Sequence, residues 1–81
     1  MSGYTFLDEG GFFCFCEAHD DGQGGWRASV RFERKSDHTA QKTKIPGMTH
    51  KITATFNSRD EAMSAARDYA LDHAARGDTG L

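Results

Sequence analysis

The chain has 81 residues, a net charge of −2 and a hydrophobic fraction of 37%. That length allows one domain with a thin core, because a chain this small buries only roughly 60–65% of its unfolded surface. The near-neutral balance gives no global pull towards nucleic acid or an anionic membrane, and no stretch approaches the roughly 20 apolar residues of a membrane span.

Charge is unevenly placed. Residues 27–51 hold seven bases (Arg27, Arg31, Arg34, Lys35, Lys42, Lys44, Lys51) against Glu33 and Asp37. The segments before and after are acidic. Six Phe, two Tyr and one Trp must supply much of the core. Met1-Ser2-Gly3 runs straight into structure-like sequence with no basic n-region or apolar run, so no leader is expected. Cys14 and Cys16 alone imply no disulfide framework. The expectation is a soluble, cytoplasmic protein.

Residues 4–7 form a short strand candidate. Asp8-Glu9-Gly10-Gly11 is a turn signal, so a hairpin follows. In the second strand, 11–18, Phe12, Cys14, Cys16 and Ala18 alternate with Phe13, Phe15 and Glu17. Being apolar on both faces, it belongs at the centre of a sheet. A loop rich in Gly and Asp leads to the third strand, 26–34. There Trp26, Ala28, Val30 and Phe32 alternate with Arg27, Ser29, Arg31 and Glu33. Residues 35–49 are polar and basic with the lone Pro46, and are expected to be a mobile loop. The fourth strand, 50–56, sets Ile52, Ala54 and Phe56 against Lys51, Thr53 and Thr55.

Ser58-Arg59-Asp60-Glu61 is a capping box that opens a helix over 58–76. Its apolar stripe is Ala62, Met63, Ala66, Tyr69, Ala70, His73 and Ala74. Gly77 is the expected stop, and the tail 77–81 is expected to fray. Leu71 falls opposite the stripe. The period changes predict an α+β domain, a four-stranded twisted antiparallel sheet (β-β-β-β-α) with the helix on one face. Slim alanines let the helix lie close, so bulk must come from Trp26, Ala28, Val30, Phe32, Ile52, Ala54 and Phe56.

The strand–cap–helix run T-x-T-F-x-S-x-x-E-A-x-x-A-A-x-x-Y-A, over residues 53–70, and Gly25-Trp26-Arg27-Ala28-Ser29-Val30-Arg31 carry a resemblance. The chain resembles a group of small bacterial proteins of unknown function, mostly proteobacterial and sometimes encoded near prophage genes. The resemblance covers about two-thirds of the chain and implies the same fold, with no activity, catalytic residue or cofactor to carry over. The helix start is also similar to that of some antitoxins, but the Pro-Asp turn they carry is missing.

Chemistry-bearing residues have ordinary alternatives. Cys14 and Cys16, two apart on a strand, lie about 6.6 Å apart on one face. With His19 they offer three metal ligands, yet structural zinc sites space cysteines C-x₂₋₄-C. Two thiols packed in the core are the expectation, with no metal and no cofactor. His19, His38, His50 and His73 match no Ser/His/Asp or Cys/His spacing. Residues 21–25 enter a strand rather than a helix, which excludes a phosphate loop. The chain is therefore expected not to be an enzyme.

One helix covers one sheet face and leaves the other bare. The expected function is a small accessory module that binds a protein partner through that face, as a monomer or weak homodimer. The alternative is single-stranded nucleic acid, with bases on Phe13 and Phe15 and phosphates on Arg27, Arg31 and Lys51, extended by Lys42 and Lys44.

Overall fold

The computed structural model describes residues 4–81. Met1-Ser2-Gly3, on which the expectation of no leader rests, lie outside the described residues. The strands are β1 (Tyr4–Glu9), β2 (Phe12–Asp20), β3 (Trp26–Arg34) and β4 (Gly47–Phe56). They pair antiparallel in the order β1-β2-β3-β4, as a meander. A short helix α1 (Lys35–Thr39) follows β3, and α2 (Arg59–Arg76) closes the chain across one face. This is the α+β architecture that the periodicity predicts.

Local sequence explains the joints. Gly10 and Gly11 connect β1 to β2 with φ of 58° and 86°. Two positive φ values make the hairpin turn whose twist matches the strands it joins. Gly10 also lies against the end of α2, where a Cβ would collide with the Ala74 carbonyl. Asp20 and Asp21 hold the next loop: the Asp21 carboxylate accepts from the amides of Gln23 (2.7 Å) and Gly25 (3.0 Å). At the start of α2 the Ser58 hydroxyl accepts from the Glu61 amide at 3.1 Å. The Glu61 carboxylate reaches back to the Asn57 amide, one residue earlier than a standard capping box. At the other end Gly77 donates to Ala74 and Asp78 to His73, which completes a Schellman motif.

The core lies between sheet and α2. Ala62, Ala66, Ala70 and Ala74 are fully buried on the helix, over Cys14, Cys16, Ala18, Ala28, Val30 and Phe32. Leu7, Phe12, Trp26, Ile52, Phe56, Met63, Tyr69 and Leu81 pack around this centre. Bulk comes from the sheet and close approach from the helix, because small residues let backbone and sheet meet without voids.

Three details differ from the sequence reading. Ala54 is exposed rather than under α2. The β3–β4 register moves from Ala28↔Ile52 to Trp26↔Phe56, so β4 holds two extra residues there and Ala54 turns outward. The segment 35–49 is not a continuous loop: it opens with α1 and ends in the first residues of β4. In α1 the buried Asp37 carboxylate takes Arg34 Nε at 3.0 Å and Lys42 Nζ at 2.6 Å. The tail does not hang free either, since Thr79 is fully buried and Leu81 joins the core.

Candidate functional site

Strand alternation puts a second set of side chains on the face away from α2. Register aligns them in rows across the sheet. Phe6, Phe15, Arg31 and Thr49 make the central row. Asp8, Phe13, Glu33 and Gly47 lie on one side of it, and Tyr4, Glu17, Ser29 and Lys51 on the other. His19 and Arg27 pair beyond these.

Four rings form one cluster on this bare face. Phe6 lies 5.3 Å from Phe13 and 5.4 Å from Phe15, centroid to centroid, and Tyr4 lies 5.8 Å from Phe15. Tilted and edge-on geometries at these distances are the favourable ones for aromatic pairs. Tyr4 is 61% exposed and Phe6 49%. Together the rings make a contiguous apolar patch rimmed by polar groups.

The rim is mostly self-neutralised. Arg31 Nε reaches Glu33 at 2.8 Å, and the His38 ring meets the other Glu33 oxygen at 2.8 Å. Burial pushes the Glu33 carboxyl up, but hydrogen bonds from Arg31 and His38 outweigh it and hold the group below its ordinary value. Gly47 allows this geometry, because a Cβ there would occupy the space of the Arg31 guanidinium. Lys35 pairs with Asp8 at 3.1 Å and stands 5.8 Å from the Phe13 ring centroid. His38 closes on Phe13 edge-on at 4.9 Å.

At the far end of the face the cations are free. Among the described residues Arg27 and Lys51 make no ion pair. They border a shallow hollow of about 200 Å³ lined also by His19, Ala28, Ser29 and Ile52. A hydroxyl, an imidazole and a carboxylate meet here, yet they do not form a catalytic triad. Ser29 Oγ (3.1 Å) and Glu17 Oε2 (3.2 Å) both approach His19 Nε2. A triad needs the hydroxyl on one ring nitrogen and the carboxylate on the other.

Phe13, Phe15, Arg27, Arg31 and Lys51 thus share the open face; alternation groups Arg27, Arg31 and Lys51 there, and the register adds Phe13 and Phe15, whose side the alternation leaves open. Lys42 does not extend it, because Asp37 holds its ammonium, and Lys44 stands exposed in the segment after α1. Cys14 and Cys16 lie buried on the α2 side, whereas His19 lies on the open side, so the sheet separates the three. Burial pushes both thiols up to about 11. The loop 21–25 holds no free nest for a phosphate, since aspartate side chains already take its amides.

Tyr4, Phe6, Lys35 and His38 are additions that the sequence reading did not make. A signal for the first two was present. A two-residue turn at Gly10-Gly11 pairs Glu9 with Phe12 and so places Phe6 beside Phe15. No protein-family model, no curated protein and no solved structure matches the chain.

Proposed function

We propose that this chain is a small, non-enzymatic accessory module that binds a protein through its open sheet face. The observation that carries the reading is the cluster of Tyr4, Phe6, Phe13 and Phe15, bare on one side and ringed by charges that largely pair among themselves. Protein interfaces share this anatomy, with aromatic anchors at the centre and a polar rim. Buried, protonated thiols leave no ready nucleophile, and the His19 geometry lacks a relay. Free cysteines in the core suit a reducing compartment, and we place the module in the bacterial cytoplasm, with the prophage-associated proteins it resembles.

A photo-reactive side chain at Phe6, compared with one at Leu71 on the outer face of α2, tests the proposal in extract of the source cell. The expected result is a crosslinked protein at Phe6 alone, lost on competition with the unmodified chain but not with its Phe15→Lys variant. Equal labelling at both positions contradicts it.

The unpaired Arg27 and Lys51 beside the hollow favour a second reading, single-stranded nucleic acid. On this face Asp8, Glu17 and Glu33 stand among the rings, which opposes a phosphate chain. Fluorescence anisotropy with a labelled oligonucleotide decides the matter. Affinity that falls steeply between roughly 50 and 200 mM salt supports this reading, and no binding at the lower salt ends it.

A further inference from the structure

We infer that the occupant of the open face is a second copy of this chain, the two sheets stacking face to face about a twofold axis parallel to the strands. The inference rests on the reading of that face as a protein-binding surface and names the partner. An isologous interface requires a patch that complements itself, and symmetry leaves few arrangements to consider.

A twofold axis parallel to the strands reverses strand order and keeps every row opposite itself. Passing midway between β2 and β3, where the two sheets overlap most, it sets β1 over β4 and β2 over β3, with no freedom to slide along the strands. From the register, Phe15 then faces Arg31 of the second copy, Tyr4 faces Lys51, Phe6 faces Thr49 and Glu17 faces Ser29. The aromatic strands β1 and β2 of each copy meet β3 and β4 of the other, so Phe15 and Tyr4 receive cations over their faces, while Phe13 faces Glu33, whose charge Arg31 and His38 already take up. No two like charges are brought opposite each other.

The other face-to-face axis, perpendicular to the strands and through the central row, sets Arg31 against Arg31. That juxtaposition opposes association. Aligned packing of two twisted sheets at about 10 Å separation is a common way to cover such faces. The domain measures 42 × 25 × 17 Å, and its broad side is of the same order as the ~800 Å² that each partner contributes to a specific interface.

Sedimentation equilibrium on the full chain, with charge variants, tests both the dimer and its axis. The wild type is expected to dimerise reversibly as concentration rises. Tyr4→Lys sets a cation against Lys51, and Lys51→Glu removes the cation under Tyr4. Each variant alone should weaken self-association by roughly fivefold or more. An equimolar mixture should recover wild-type association, because one of its two contacts becomes an ion pair and the other stays native. The pair Phe15→Lys and Arg31→Glu repeats the test at the central row, and circular dichroism checks that each variant folds.

A wild-type chain that stays monomeric to roughly 1 mM overturns the inference. So does a dimer indifferent to all four substitutions, or one that the mixtures fail to restore, or a monomer that takes up an oligonucleotide instead. The fate of the broader reading is separate. A foreign protein crosslinked at Phe6 keeps it standing without self-docking, and silence there removes both.

Discussion

His50, in the middle of β4, donates from Nε2 to the main-chain carbonyl of Thr79 at 2.8 Å. A carbonyl only accepts, so the proton sits on Nε2 and Nδ1 is left to accept from the Tyr69 hydroxyl at 2.7 Å. Phe32 lies edge-on to the same ring at 5.0 Å, and His73 stacks on Tyr69 at 3.8 Å. One imidazole thus joins β4, α2 and the tail. Replacing His50 with Ala leaves the Thr79 carbonyl without its donor and should cost about 1–3 kcal/mol in urea denaturation. Removing residues 78–81 should cost a similar amount, because it exposes His50 and the core contact of Leu81.

The alanine stripe makes a sharper demand. Ala66 and Ala70 are fully buried against the sheet. Ala66→Leu should destabilise by about 1–3 kcal/mol through overpacking, although leucine is an excellent helix former. Leu71→Ala, on the outer face of the same helix, should stay within about 0.5 kcal/mol. Thermal or chemical denaturation distinguishes the two.

Acid should weaken the α1 corner. The Asp37 carboxyl lies below its ordinary 3.8, chiefly through the hydrogen bond from Lys42 and then the one from Arg34. Glu33 likewise lies below its ordinary 4.5. A carboxyl depressed in the folded state stabilises above its unfolded value and loses that contribution as pH falls through the folded one. Stability should therefore decline from about pH 5 downwards. Asp37→Asn should lower stability at neutral pH and flatten that acid limb, read from urea midpoints at several pH values.

Cys14 and Cys16 should resist alkylation. Both are buried, and both thiols titrate near 11 where an ordinary cysteine titrates at 9.0. Thiolate is the reactive form. At pH 8 the folded protein should take up iodoacetamide only as fast as it opens, and two equivalents at once in denaturant. Because the folded values are raised, stability should also fall as pH climbs from 9 towards 11.

The sequence exposes most of the frame because its periods are clean. Trp26 to Glu33 alternates strictly, and Ser58, Glu61 and Gly77 bracket α2 with local capping chemistry. What it hides depends on distant partners. The turn-like letters of the tail say nothing of His50, 29 residues earlier, which pins Thr79. Helix α1 has five residues and no side-chain cap, too short for a helical period to show. The outward turn of Ala54 comes from a register shift against β3, which the alternation within β4 cannot reveal. The bare face was half legible. Phe13 and Phe15 were visible as a second apolar set, but their side depended on which set matched the alanines.

Nuclear Overhauser contacts from the Ala66 and Ala70 methyls give the most direct test of that assignment. Contacts to Val30 and Phe32, with none to Phe13 or Phe15, are the predicted result. Contacts from either methyl to Phe13 or Phe15 would put the rings under α2 and contradict the account of which face is bare.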